Sequence, residues 1–214
     1  MDSDALRKAL RLYLVADAGI VPVAELAPRV AAALRGGVTM VQLRAKERTT
    51  REQLDLARAL RSLCRTSHVP FVVNDRVDVA LASGADGAHV GHIGREDMPP
   101  DDARALLGGD AIVGVSVGSA DEASEAERLG ASYVSAGPMY DTRTKSDAGA
   151  AVGPTLLEHA RAATRLPLVG IGGITPDRVG ALRAAGADGV CVARGILCAP
   201  DPAAAAREYI ARWR

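Results

Sequence analysis

Cysteine, aromatic residues and lysine are scarce in this sequence, and neither charge is in excess. Three cysteines, Cys64, Cys191 and Cys198, stand without CxxC spacing, which argues against a disulfide framework or a structural zinc site and leaves them as buried apolar residues. Aromatic residues make up 3 % of the chain, with one Phe, one Trp and four Tyr. The core must then be assembled from small aliphatic side chains in many thin contacts, as where helices stack on a parallel sheet. Lys plus Arg number 26 and Asp plus Glu 26, which disfavours a nucleic-acid clamp or a polybasic membrane anchor. No apolar run approaches the ~18 to 20 residues of a bilayer span, and the opening MDSDALRK lacks the apolar stretch of a signal peptide. A cytoplasmic protein that contacts neither nucleic acid nor membrane is the expectation.

What is present suits one globular domain spanning residues 1–214, with 48 % hydrophobic residues. Lysine occurs only as Lys8, Lys46 and Lys145, against 23 arginines among the 26 basic residues. Each lysine therefore needs a reason, and two of the three fall at the proposed site.

Short continuous apolar runs recur at Leu12 to Ala16, Met40 to Leu43, Phe71 to Val73, Ala88 to Val90, Ala111 to Val115, Tyr133 to Ala136, Leu168 to Ile171 and Val190 to Ala193. Continuous apolarity marks strands buried on both faces, as in parallel sheets. Helical stretches lie between them, with capping boxes at Thr50 to Gln53 and Ser119 to Glu122 and an N-cap plus proline at Thr175-Pro176. Leu56, Leu60, Leu63 and Cys64 share one face of the helix after the second strand. Several helices end in glycine steps, and Gly84-Ala85-Asp86-Gly87 reappears as Gly186-Ala187-Asp188-Gly189. Eight strands alternating with about eight helices predict an α/β fold, a (β/α)₈ TIM barrel, with an open doubly wound sheet as the rival. Chemistry belongs at the carboxyl ends of the strands in either case.

At those ends the polar residues are specific. Gln42, Arg44 and Lys46 alternate, which fits an anion site or a buried salt-bridge cluster. Asn74 and Asp75 end the third strand, and Arg95-Glu96-Asp97 follows the fourth. Carboxylates from two strand ends near cations suit a hard oxygen site for Mg²⁺ that also engages a phosphate, although Asn74 and Asp75 could instead cap a helix. Ser116, at the end of the fifth strand, reads as a cap or a site hydroxyl. The long polar loop from Gly137 to Gly149 holds Thr142, Thr144 and Lys145, two hydroxyls and a cation able to surround an oxyanion; flexible surface loop is the plainer reading. Gly172-Gly173 after the seventh strand and Ala193-Arg194 after the eighth form a phosphate cradle of a kind shared by many barrels. His89 and His92 have HxxH spacing, but at a strand end, which disfavours zinc. His68 and His159 read as surface residues, and no nucleophile triad is apparent.

In order, VQLRAK, VVNDRVDVAL, GAHVG followed by REDMP, IVGVS, GPMYDTRTK, VGIGGIT and GADGVCVARGI resemble the motif series of the thiamine-phosphate synthase family over roughly Leu12 to Arg207. The resemblance implies a (β/α)₈ barrel with Mg²⁺ as cofactor. It implies a transferase that joins a pyrimidine methyl diphosphate to a thiazole phosphate, giving thiamine monophosphate and pyrophosphate by a dissociative, Mg-assisted substitution. Gln42, Arg44, Lys46 and Asn74 would hold the pyrimidine diphosphate, and Asp75 and Asp97 would ligate Mg²⁺. Ser116 and Lys145 would act near the leaving group, with Arg44 beside them. Thr142 and Thr144 match thiazole-phosphate contacts, and Gly173, Ala193 and Arg194 fall at the phosphate cradle.

The chain also departs from the family pattern. His92-Ile93-Gly94 is inserted before Arg95-Glu96-Asp97, making Asp97 the best match for the second metal ligand and Glu96 the alternative. Arg194 stands where serine is common and Asp141 where proline is usual. Two rival functions are a thiazole tautomerase-like barrel and a non-catalytic binder of thiazole or thiamine phosphate. Small-molecule substrates are the expected partners, and a homo-oligomer stays open.

Overall fold

The chain, as a computed structural model, is described over residues 1–94, 98–142 and 150–213. Its eight parallel strands are β1 Leu12–Asp17, β2 Met40–Arg44, β3 Phe71–Asn74, β4 Gly87–His92, β5 Ile112–Val117, β6 Tyr133–Ala136, β7 Leu168–Ile171 and β8 Gly189–Val192. They pair in chain order, and β8 returns to β1 with Leu12 opposite Val190 and Leu14 opposite Val192. The sheet is therefore closed, which decides for the (β/α)₈ barrel over the open sheet.

Helix α1 Ser3–Ala9 precedes β1. Helices α2 Val23–Arg35, α3 Thr50–Thr66, α4 Val77–Ser83, α5 Pro100–Leu107, α6 Ala120–Arg128, α7 Thr155–Ala163 and α8 Val179–Ala184 follow the first seven strands in turn, and α9 Arg194–Leu197 and α10 Pro202–Trp213 come after β8. No helix among the described residues is long and apolar enough to cross a membrane.

Strand alternation divides the core into two layers. Outward residues such as Leu14, Val41, Val73 and Val134 pack with Ala33, Ala57, Ala80 and Ala160 of the helices, the thin aliphatic contacts that the composition calls for. Inward residues, among them Tyr13, Met40, Val72, Ile112, Tyr133 and Val169, fill the barrel. Tyr13 and Tyr133 meet edge to face, with centroids 5.9 Å apart at 80°. Gly114 makes this possible, because a Cβ there would collide with the Tyr133 ring.

The repeated GADG segment is a fastening device. Gly84 and Gly186 take positive φ of 68° and 94° where the helices end, as glycine allows. The aspartate then reaches back to the start of the preceding strand: Asp86 Oδ2 accepts from Phe71 N–H at 2.8 Å and Asp188 Oδ2 from Leu168 N–H at 2.9 Å.

Several local expectations need correction. The box that caps α3 is Thr49 with Glu52, not Thr50 with Gln53, because the chain turns helical at Thr50, one residue earlier than Thr50 as N-cap would require. Leu60 and Cys64 do face the core, with Gln53 and Ala57 beside them, whereas Leu56 and Leu63 are only partly buried. Ser119 caps α6, but Glu122 spends its carboxylate on Gly118 N–H and His92 instead of closing the box. Cys64 and Cys191 are buried as expected; Cys198 is exposed.

Candidate active site

The inward polar residues gather at the carboxyl ends of the strands, around a cavity of about 510 Å³. Gln42, Arg44 and Ser116 line one part of it, and Thr142, Gly173, Ala193 and Arg194 another. Three of these groups are on the side matched to the pyrimidine diphosphate and four on the side matched to the thiazole phosphate.

A chain of buried hydrogen bonds crosses the barrel beneath the cavity. Gln42 Nε2 donates to Tyr13 Oη. Tyr13 Oη lies 2.8 Å from Tyr133 Oη, which lies 2.9 Å from His89 Nδ1; one order that satisfies every group has each phenol pass its single proton along, Tyr13 to Tyr133 and Tyr133 to His89. That order leaves His89 with its proton on Nε2, which faces Ser116 Oγ at 3.1 Å. In that order Ser116 accepts from His89 and has its own proton for an acceptor in the cavity. Burial, reinforced by the neighbouring phenol and Cys191, pushes the Tyr13 hydroxyl well above the ordinary tyrosine range, and burial does the same to Tyr133. Both therefore act as neutral relays.

Arg44 fits both readings of the QLRAK segment. Its Nη1 donates to buried Asp17 Oδ2 at 2.7 Å, while among the described residues its buried Nε has no partner. A guanidinium anchored to Asp17 at one edge and lining the cavity is placed to receive an oxyanion from that cavity.

Lys46 does not follow Gln42 and Arg44 into this cavity. Strand β2 ends at Arg44, so alternation no longer governs where Lys46 points. With Asn74 and Asp75 it lines a smaller cavity of about 220 Å³, its Nζ 3.1 Å from Asp75 Oδ2. Helix α4 is capped by neither Asn74 nor Asp75, since its N-cap is Arg76 and no side chain bonds the first turn. Asp75 instead sits at φ +59°, a strained conformation for a non-glycine residue of the kind found at functional positions. Its N–H is held by His89 O at 2.8 Å.

Asp97, its alternative Glu96, Thr144 and Lys145 lie outside the described residues. Among the described residues no three of His, Cys, Asp and Glu cluster as a metal cage. Mg²⁺ is often bound by one or two carboxylates completed by water and substrate phosphate oxygens. Asp75, a half-buried carboxylate beside Asn74 and a lysine, fits that donor set.

The glycine turn after β7 is shaped by its carbonyls. Ile171 O accepts from Met139 N–H at 2.8 Å, Gly172 O from Tyr140 N–H at 3.0 Å, Gly173 O from Arg178 Nη1 at 2.6 Å, and Ile174 O from Tyr209 Oη at 2.8 Å. With four successive carbonyls engaged by the protein, the amide edge of the turn is the one left for an anion. Gly172 and Gly173 have φ of 98° and 62°, and a Cβ on either would press on Pro138 or Tyr140. Arg178 also stacks over the Tyr140 ring, 4.2 Å from its centroid, tying the turn to the loop that carries Thr142.

Sequence reasoning missed Tyr13, Tyr133, His89, His92, Arg178 and Tyr209. Inward tyrosines in apolar strands read as core, and Tyr209 comes from the last helix. The signal that could have raised His89 was a histidine two residues after the start of a buried strand, where an unpaired imidazole would be costly.

The profile of the family described as thiamine monophosphate synthase matches residues 12–196. The thiamine-phosphate synthase of Moorella thermoacetica is 50 % identical over 185 residues, covering 85 % of this chain and 87 % of that one. That of Methanospirillum hungatei is 43 % identical over 198 residues, covering 92 % and 95 %. A solved thiamine phosphate pyrophosphorylase from Pyrococcus furiosus superposes with a TM-score of 0.87 at 37 % identity, covering 97 % of both chains.

Proposed function

The chain belongs to the thiamine monophosphate synthase family, and from that membership we propose the reaction of this transferase. It condenses 4-amino-2-methyl-5-(diphosphooxymethyl)pyrimidine with a thiazole phosphate, releasing pyrophosphate and forming thiamine monophosphate. The observation that supports this best is a single cavity in which Gln42, Arg44 and Ser116 open onto the same space as Thr142, the Gly173 turn and Arg194. That space suits two phosphorylated substrates meeting.

The electron-rich aminopyrimidine can carry a methylene cation, so the demanding part of the reaction is parting it from the diphosphate. In a dissociative substitution the C–O bond breaks with its electron pair going to the diphosphate, and the thiazole nitrogen then attacks the methylene carbon. Arg44 and the Ser116 proton receive the developing charge, with Lys145 in the same role from the loop. Gln42 binds the pyrimidine diphosphate from the main cavity, and Lys46 and Asn74, which line the smaller cavity with Asp75, would hold its Mg²⁺-bound end from there. Asp75, with Asp97 or Glu96, would hold Mg²⁺, which supplies charge neutralisation on the departing oxygens. Thr142, Thr144, Gly173, Ala193 and Arg194 hold the thiazole phosphate, and holding both substrates together supplies proximity. The loop from Pro138 to Val152 acts as a lid that keeps water from the cation. Its base is pinned where Val152 N–H meets Pro138 O at 2.9 Å. Protection of the loop from proteolysis by substrate and Mg²⁺ is the expected mark of closure, and unchanged cleavage would remove the lid from the account.

The test is pyrophosphate release from the two substrates with and without Mg²⁺. Release that depends on both substrates and on Mg²⁺ is expected, and Asp75→Ala should raise the Mg²⁺ concentration needed for half-maximal rate by about tenfold or more. No release would return the chain to a tautomerase-like or purely binding role.

A further inference from the structure

Strand β4 does not run straight to its end. Val90 pairs with Val115, but the next partner, Ser116, pairs with His92, and Gly91 is passed over as a bulge. Along an undisturbed strand, residues 89 and 92 would face opposite sides of the sheet. The bulge shifts the phase by one residue and turns His92 to the barrel interior with His89. Both imidazoles line the main cavity with Ser116.

The ring of His92 is held from outside the strand. Its Nδ1 lies 3.0 Å from Glu122 Oε2, in the first turn of α6. That carboxylate oxygen also accepts from Gly118 N–H at 2.7 Å, which fixes it against the end of β5. The ring packs over Gly118, where a Cβ would sit 3.7 Å from His92 Cε1. With Nδ1–H committed to a carboxylate, Nε2 is the remaining polar atom of the ring, and no described residue takes it. A side chain that is 26 % exposed at a cavity wall and pinned by one nitrogen presents the other to a ligand.

We propose that His92, positioned by Glu122, is a further binding residue for the diphosphate of the pyrimidine substrate and for the pyrophosphate it becomes. This rests on the transferase reading, which puts the diphosphate at Ser116. His92 pairs with Ser116 across the two strands, so an anion that takes the Ser116 proton comes within reach of Nε2. An imidazolium giving Nδ1–H to Glu122 gives Nε2–H to a phosphate oxygen in a charge-assisted hydrogen bond. The residues inserted before Arg95 thereby add a donor to the site.

Direct binding of inorganic pyrophosphate with Mg²⁺, measured by calorimetry, tests this without turnover. His92→Ala should weaken binding by about 10- to 100-fold, as loss of a hydrogen bond to a charged group does. The same variant should raise KM for the pyrimidine diphosphate while leaving KM for the thiazole phosphate within about twofold. His92→Gln, whose amide can donate from a similar position, should restore part of the binding. Glu122→Ala should give a smaller loss in the same direction, and it covers the case in which His92→Ala folds poorly. Unchanged pyrophosphate binding and KM in His92→Ala and Glu122→Ala would overturn the proposal, as would failure of the unaltered protein to bind Mg²⁺-pyrophosphate. Failure of the transferase reading appears separately, as absence of pyrophosphate release by the unaltered protein.

Discussion

Asp17 shows how a cation at the proposed site is held by the fold. Its side chain is buried at the top of β1, where Oδ1 accepts from Gly19 N–H at 2.8 Å and Oδ2 takes Arg44. A carboxylate so enclosed depends on its guanidinium. Arg44→Ala would leave Asp17 buried and unpaired, and breaking such a pair costs about 3 to 5 kcal/mol. We expect a loss near the lower figure, because a water can enter the cavity, together with a fall in kcat. Urea denaturation beside steady-state rates would check it, and Arg44→Ala at unaltered stability would show that Asp17 does not need its partner. Arg44→Lys should recover more stability than activity, since an ammonium keeps the charge but loses the planar fork.

At the scale of elements, the helix that follows β2 offers a cleaner test because it lies away from the chemistry. Thr49 Oγ1 accepts from Glu52 N–H, and Glu52 Oε2 accepts from Thr49 N–H at 2.8 Å; the hydrogen bonds from Thr49 hold the Glu52 carboxyl below its ordinary range. Thr49→Ala should cost about 1 kcal/mol and leave KM for both substrates unchanged. A thermal melt and the two KM values measure it, and an altered KM would mean that the cap also positions Lys46. Elements of this kind were legible before the fold was known. Apolar runs marked all eight strands, and two of them, Tyr133 to Ala136 and Leu168 to Ile171, agree with the observed bounds. Three others continue past the predicted end by one polar residue, Asp17, Arg44 and Asn74, and β4 runs on through Gly91 to His92. Asp17, Arg44 and His92 are satisfied there by partners from other elements, and such partners cannot be seen in a local window. The site divides along the same line. Ser116 and the glycine turn were found because each follows an apolar run, whereas His92 depends on a bulge and Arg178 on a ring in another loop.

For the molecule as a whole, three of the four tyrosines have been made part of the barrel. Tyr13 and Tyr133 close its interior and Tyr209 reaches from α10 to the turn after β7. Burial, the largest cause for each, raises all three, with Tyr209 brought to about 12. An unfolded chain would release these protons near pH ~10. A folded-state value above the unfolded one means that stability is fully present below pH ~10 and is lost as pH rises toward the folded values. Carboxylates such as Asp78, lowered first by its hydrogen bond to Arg76, act oppositely and cost stability only in acid. The buried Cys64 thiol, pushed up by burial to about 12, acts the same way from a lower start, so unfolding free energy measured by urea from pH 7 to 12 should hold steady to about pH 9 and then fall, most steeply above about pH 10. Above it, tyrosinate absorbance should rise together with loss of ellipticity, because Tyr13 and Tyr133 ionise when the barrel opens. Tyrosinate appearing for all of these phenols in a chain that keeps its full ellipticity would mean that the interior hydrogen-bond chain is wet, and that Ser116 is not oriented from beneath.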